Sequence, residues 1–342
     1  MTVDPFDALE NSVRAAHPGA EIVLCAPVEG AEPLNGAVAV HVSAPSPHWL
    51  VVSQGFTELW DKESDDPDVS GFGFELSCRI PAVEAQLDFG WVLHWMQGIR
   101  DYLATTETFI GSGHCMPLVA PATRDEICNV LFVEDVGLAP TRSRNGNHGY
   151  LQMVGVNVAE HDTARSWDVL AFSDLMRARD PLLQTIAGRP SFLADASFLV
   201  DMERAMASRA ASVGMRGQLP LHWEVHGGLV RGKRLDIHVD LACIPDLLMA
   251  IKHRVRHGEE MVLFGGPRSG DSLVCFRPGP AGWSIEKREG MRGAVIFLPP
   301  EAIEPLTNRL SQLMTEGPQP QELELPGVNG ARLFIASVAN PR

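Results

Sequence analysis

The sequence predicts an α/β (α+β) protein built from two mixed α/β domains, each a mostly antiparallel or mixed sheet packed with helices. Three observations carry this. Phe72, Phe74 and Leu76 alternate with Gly73, Glu75 and Ser77, and Leu235, Ile237, Val239 and Leu241 alternate with Asp236, His238, Asp240 and Ala242; apolar residues at period two mark strands with one buried face. Leu87, Trp91, Trp95, Ile99 and Leu103 recur every four residues, the stripe of an amphipathic helix. The chain of 342 residues is long enough for two cores, and its composition shifts near Ser212–Gly217, beyond which strands dominate. The expected domains are therefore residues 1–213 and 218–342.

In chain order, Asp4 suits a helix N-cap and Pro5 the first helical position, with Phe6, Leu9 and Val13 on one face. His17-Pro18-Gly19 stops that helix. Ala37–Val42 and Leu50–Ser53 read as strands split by the turn Ala44-Pro45-Ser46-Pro47. Asp61–Asp68 is an acidic loop, followed by the Phe72–Leu76 strand, whose glycines mark a bulge or a close backbone approach. The tryptophan-striped helix spans about Val83 to Thr106, and its stripe is expected to be core. Val130–Val133 and Tyr150–Val158 are strands joined by the polar loop Thr141–His148, which carries Arg142, Arg144 and His148. Ser166 is positioned to cap a helix with Val169, Phe172 and Met176 on one face. Phe192–Phe198 looks like a strand and turn, and Met202–Ala211 like a helix. In the second half, Pro245 opens a helix with Leu248, Ile251 and Val255, and strands follow at Met261–Phe264, Leu273–Phe276 and Ala294–Leu298. The last helix carries Ile303, Leu306, Leu310 and Leu313 in register, and Arg332–Val338 closes the chain as a strand.

Bulk properties narrow the function. The composition, 45% hydrophobic and 21% charged, is that of a soluble globular protein. A net charge of -15 repels a phosphate backbone and argues against nucleic-acid binding. No run of apolar residues is long enough for a membrane span. The first residues, with Asp4, Asp7 and Glu10, lack the basic and apolar regions of a signal peptide. The six cysteines form no C-x-x-C pair. The expectation is a cytoplasmic protein with reduced thiols and no cofactor.

Catalytic signatures are weak. No G-x-S-x-G elbow occurs. Gly265–Ser272 is glycine-rich but lacks the Gly-Lys-Ser/Thr ending of a P-loop, so a hairpin turn is expected there. Asp61–Asp68 lacks EF-hand spacing. His114 and Cys115 are adjacent, and neighbours on a strand point apart. His238 and Asp240 share one strand face and stand as metal-ligand candidates needing a third partner.

Several blocks appear in a fixed order: His48-Trp49, Gly55-Phe56-Thr57-Glu58-Leu59-Trp60, Ser70-Gly71-Phe72-Gly73-Phe74-Glu75-Leu76, Met96-Gln97-Gly98 with Tyr102, Leu131–Asp135 and Leu151–Val156. Weaker matches come at Arg189–Asp201, Gly228–Gly232, the last helix and Glu324-Leu325-Pro326. Together they resemble the Suppressor of fused family. The resemblance implies two α/β domains joined by a short hinge, and a non-enzymatic protein that captures a protein or peptide partner, added as a strand, in the cleft between domains. Animal members restrain Gli-type transcription factors; bacterial relatives are proposed to be immunity proteins that neutralise toxins. The compact length of this chain resembles the bacterial members. On this basis Tyr102, Phe109 and His114 match the family's peptide-binding region, with Gly113 where animal proteins carry an acidic residue. Trp223 and His226 near the hinge are the candidates in the second domain. The alternative is an enzyme, or a small-molecule or metal binder, that uses the same cleft with His114, Cys115, His238 and Asp240.

Overall fold

The computed structural model describes residues 3–26, 35–44, 46–82, 90–118, 127–212, 214–227, 232–266, 272–288, 291–316 and 320–336. The chain divides into two compact units, residues 1–165 with 169–201, and residues 166–168 with 202–342.

The first unit begins with α1 (Pro5–Ala16), where the Asp4 side chain accepts a hydrogen bond from the Phe6 N–H at 3.1 Å and Pro5 fills the first turn. The strands β1 (Ile22–Cys25), β2 (Gly36–Val42), β3 (His48–Gln54) and β4 (Val69–Pro81) follow. Next come α2 (Gly90–Thr106), β5 (Cys115–Pro117), β6 (Asn129–Glu134), β7 (Thr141–Ser143) and β8 (Gly146–Val156). The unit closes with α3 (Val158–Ser166), α4 (Val169–Arg177) and α5 (Ala196–Ser208), the last running into the second unit. The eight strands form one mixed sheet in the order β1-β2-β3-β4-β8-β6-β5, with β7 paired to β8; β4 and β8 run parallel.

Both faces of this sheet are covered. Val92, Leu93, Met96, Ile99 and Leu103 of α2 pack on Phe74, Leu76, Cys78, Phe132 and Met153. Leu9 and Val13 of α1 pack with Val38, Val40, Leu50, Val52 and Tyr150. The expected helix residues 83–89, Leu87 among them, lie outside the described residues.

Coverage of the second face corrects a sequence expectation. Glu75, Ser77 and Arg79, the polar half of the β4 alternation, are buried rather than solvated. The Glu75 carboxylate is fully enclosed. It accepts from Ser53 Oγ (2.5 Å), Thr57 Oγ1 (2.6 Å) and the N–H groups of Thr57 (2.9 Å), Gly55 (3.2 Å) and Phe56 (3.3 Å). Burial pushes this carboxyl above its ordinary value, against those donors. Arg79 pairs with Asp135 through Nη1–Oδ2 at 2.6 Å and Nη2–Oδ1 at 2.8 Å, and Nη1 also reaches Gln152 Oε1 at 2.9 Å. Although burial pushes Asp135 up, the Arg79 guanidinium holds its carboxyl below the usual range. Each buried charge is thus multiply bonded, as the cost of desolvation requires.

Local expectations fail where caps or strand pairing decide the outcome. Residues 141–148 form a hairpin rather than a loop: Thr141–Ser143 pair with Gly146–His148. There His148 is buried rather than solvated, and neither ring nitrogen has a hydrogen-bond partner among the described residues. Phe192–Phe198 is a 3-10 turn capped by Ser191 and then the start of α5, where Asp195 accepts from the Ser197 N–H at 2.8 Å. Ser166 is the last residue of α3, with two residues between it and the α4 start at Val169. The α3 start is a reciprocal box, Glu160 N–H to Asn157 Oδ1 at 2.9 Å and Asn157 N–H to Glu160 Oε2 at 3.3 Å.

The second unit contains β9 (Met215–Leu219), β10 (Leu221–His226), β11 (Arg234–Asp240), α6 (Ile244–His253), β12 (Met261–Gly265), β13 (Leu273–Pro278), β14 (Gly282–Arg288), β15 (Met291–Leu298), α7 (Pro300–Glu316), β16 (Gln321–Glu324) and β17 (Ala331–Ala336). Two sheets form, β10-β11-β17-β16 and β14-β15-β13-β12-β9. One core joins them: Ile244, Leu247 and Ile251 of α6 and Ile303, Leu306, Leu310 and Leu313 of α7 pack with Ile237, Leu333, Val274 and Ile296. The α7 stripe read from sequence is therefore core; of the stripe read for the Pro245 helix, Ile251 is core, Leu248 is only partly buried, and Val255 is buried in the 3-10 turn after α6. On β11 the expected wet face is again partly buried: Asp236 is enclosed by Arg234 Nε at 3.1 Å and Arg332 Nε at 3.2 Å. Residues 267–271, where a hairpin turn is expected, and the block at 228–231 lie outside the described residues.

Candidate partner-binding surface

The candidate surface in the first unit starts where α2 ends. Glu107 takes a left-handed conformation, φ 51°, with its N–H bonded to Leu103 O at 3.0 Å. The reversal sends the chain outward, and Phe109 is left 69% exposed. A β-carbon on Gly111 would stand 3.0 Å from the Phe109 ring, so glycine lets the ring lie against its own loop. The chain then returns to the sheet. Gly113 N–H donates to Phe132 O at 2.8 Å, Phe132 N–H donates to His114 O at 2.9 Å, and β5 continues the pairing as the terminal strand.

His114 is exposed, accepts from the Gly111 N–H at Nδ1 over 3.2 Å, and meets Phe109 edge-on at 6.1 Å between centroids. Gly113 lies against the half-exposed Leu170 of α4, whose Cγ is 3.5 Å from the position a β-carbon would take. Tyr102, on the last turns of α2, is 41% exposed. The structure therefore joins Phe109 and His114 directly and leaves Tyr102 on the surface rather than in the core. Leu170 was not marked by the sequence, because an apolar helix residue carries no signal of its own, and Gly111 was legible only as part of a small loop. The surface offers an aromatic ring, an imidazole edge and a short terminal strand. These suit an extended peptide, main chain to main chain at the strand and side chain to side chain at the rings.

The second-unit candidates differ in setting. Trp223 and His226 fall on opposite faces of β10 because their spacing is odd. Trp223 packs partly against the core, with the Arg292 guanidinium 5.9 Å from its ring. His226 Nε2 lies 3.3 Å from Glu224 Oε2 and 3.4 Å from Asp236 Oδ2. His238 is stacked between His222 at 4.4 Å and Phe334 at 4.9 Å, and burial with the nearby His222 lowers its pKa. Asp240 caps a 3-10 turn by accepting from the Ala242 N–H at 2.8 Å. Both residues of the metal alternative thus have structural employment. Among the described residues, no group of three or more His, Cys, Asp or Glu side chains is placed to hold a metal ion. No helix among them is long and apolar enough to cross a membrane.

The Phe109 surface lies inside a recognisable segment. Residues 30–190 match the family described as Suppressor of fused protein (SUFU). Over this segment, somewhat under half of its length, the chain is similar to the Suppressor of fused family. The mouse Suppressor of fused homolog is 30% identical over 158 residues, which cover 43% of this chain and 31% of that protein. The human Suppressor of fused homolog is 29% identical over 182 residues, covering 48% of this chain and 36% of that protein. The match thus spans about a third of the length of these curated relatives. The crystal structure of Drosophila Suppressor of Fused superposes with a TM-score of 0.77 at 16% identity, covering 99% of this chain and 98% of that one. A chain from a Sufu–Fu complex crystal structure superposes with a TM-score of 0.50 at 20% identity, covering 58% of this chain and 97% of that one. At these identities the structures establish a common fold. Tyr102, Phe109 and His114 fall inside the matched segment; Trp223 and His226 do not.

Proposed function

We infer that this chain is a non-enzymatic binding protein that captures a protein or peptide partner, with Phe109, Tyr102 and His114 forming the contact surface in its first unit. The observation that carries the reading is Phe109 itself: a large aromatic, 69% exposed, held by a glycine-shaped loop beside a terminal strand. A rigid aromatic beside an open strand edge is the kind of anchor that partner interfaces bury. The complex with Fu formed by a structural relative supports a protein partner. Trp223 and His226 are the second-unit candidates. A net charge of -15 suits a basic partner and would speed encounter with it, as neutralisation of a basic toxin by a cytoplasmic immunity protein requires.

The test is affinity purification of the tagged chain from its native cell with mass spectrometry, comparing wild type with Phe109→Ala and Tyr102→Ala. One dominant partner, lost in Phe109→Ala while the melting temperature holds, is expected. An aromatic anchor carries about 2 kcal/mol or more of binding, enough to lose a pull-down. A partner retained equally by both variants would overturn the placement, and reproducible recovery of no partner would overturn the binding reading.

A further inference from the structure

We propose that Trp60 and the exposed acidic loop that follows it form a second docking surface, for a lysine- or arginine-bearing segment of a protein partner. This surface belongs to the β3–β4 connection, α1 and the β7–β8 hairpin, none of which contributes to the Phe109 surface.

Trp60 is 65% exposed although it sits in a well-tied loop. Its carbonyl accepts from Arg144 Nη2 at 2.9 Å and Asn145 Nδ2 at 3.2 Å, and Asn145 Nδ2 also reaches Glu58 O at 2.7 Å. Glu58 organises the next turn, accepting from the Glu63 N–H at 2.8 Å and Lys62 Nζ at 3.0 Å. The ring thus projects from a backbone whose ordering is complete before any partner arrives, which lowers the cost of binding. Phe6 covers one edge of the indole, at 4.9 Å and 65°. Val3, 40% exposed, adjoins through its carbonyl, which accepts from the Arg144 N–H at 2.9 Å. Exposed apolar area rimmed by charge is the usual form of an interaction site.

The rim determines what fits. Asp61, Glu63, Asp65, Asp66 and Asp68 are all exposed. The one lysine of the loop is turned inward: Lys62 Nζ bonds Glu58, Ser64 Oγ and the Val69 carbonyl. Arg144 faces Asp4 at 3.7 Å, and Arg142 reaches Asp68 only at 3.9 Å with both side chains open to water. The loop therefore shows carboxylates and an indole face, with its own cation withdrawn. An indole is the strongest aromatic partner for an ammonium or guanidinium, and neighbouring carboxylates supply the counter-charge. The exposed carboxylates of Asp61, Glu63, Asp65, Asp66 and Asp68 outnumber the two exposed guanidiniums of Arg142 and Arg144, so the surface is net negative and disfavours phosphate.

The test uses fluorescein-labelled peptides of alternating Arg and Gly, or of alternating Glu and Gly, followed by fluorescence polarisation at about 0.15 M salt. The Arg peptide binds and the Glu peptide does not. Trp60→Ala weakens the Arg peptide about three- to tenfold, Trp60→Phe less, and Phe109→Ala changes it by less than about twofold. Asp61→Asn with Asp65→Asn also weakens binding and flattens its salt dependence. Because the Trp60 side chain lies on the surface, far-UV circular dichroism of Trp60→Ala should match wild type. Unchanged Arg-peptide affinity in a folded Trp60→Ala would overturn the proposal, since the attraction would then belong to overall charge. So would an Arg peptide that fails to bind wild type, or one lost equally in Phe109→Ala.

Discussion

Glu75 offers the sharpest test of the buried polar layer. Replacing it by alanine removes one carboxylate that satisfies three backbone N–H groups, of Gly55, Phe56 and Thr57, and two hydroxyls, of Ser53 and Thr57. The hydroxyls can rotate, although Ser53 Oγ must keep accepting from the Leu76 N–H at 2.8 Å. The N–H groups cannot. A buried donor without a partner costs about 1–3 kcal/mol, so three cost about 3–5 kcal/mol once some water enters the vacated space. Glu75→Gln keeps one acceptor oxygen and turns an NH₂ toward donors, for about 2 kcal/mol. Urea unfolding followed by circular dichroism measures both, and an unchanged slope shows that the native state is still compact. If alanine prevents folding, Glu75→Gln and Thr57→Val, which removes one hydroxyl for about 1 kcal/mol, still rank the network. A loss below about 1 kcal/mol in Glu75→Ala would refute the idea that this carboxylate holds residues 55–57 in place.

Three further outcomes rest on the same geometry. His148 is enclosed without a hydrogen-bond partner among the described residues, and burial lowers its pKa from 6.5 to about 4, so the unfolded chain takes up the proton first. Its contribution is intact above pH 6.5 and is lost as pH falls toward about 4, by about 3 kcal/mol; His148→Phe should flatten urea midpoints across that window. Asp135→Asn leaves the guanidinium of Arg79, whose side chain is 1% exposed, without its counter-charge. That should cost about 3 kcal/mol in the same unfolding assay, several times the effect of breaking the exposed pair Arg177–Asp174. Gly71→Ala places a β-carbon 2.6 Å from the Phe56 carbonyl oxygen at φ +54°, whereas Gly19→Ala, at φ +79°, meets nothing. Thermal melts should show the first well below the second, which carries only the left-handed strain of about 1–2 kcal/mol.

Much of the local structure was legible because its cause is local. Asp4 and Pro5 start α1 by satisfying and omitting N–H groups within one turn, and in α6 Pro245 likewise omits an N–H in the first turn, without a side-chain cap. The Ile303, Leu306, Leu310 and Leu313 stripe is buried because period 3.6 aligns those side chains whatever they meet. The departures at 192–198 and 141–148 are also local: Ser191 and Asp195 are capping signals, and Ser143 to Gly146 is a turn between pairing residues. Of the candidate surface, Phe109 and His114 are near in sequence and meet in space, while Leu170 joins them from a helix distant in sequence.

By itself, then, the sequence determined the periods of the strands and helices, the cap positions, the acidic charge and the family blocks, all of which depend on residues within a few positions of one another. Only the tertiary structure decided which alternating faces meet water. Glu75, Ser77 and Arg79 share the spacing of a solvated strand face, but α1 and the segments at Asp135 and Thr57 close over them. Trp60 and Phe109, equally apolar in composition, stay outside. Alternation records that two faces differ; what lies across each face is fixed by chain segments tens of residues away, and burial is a property of that assembled surface.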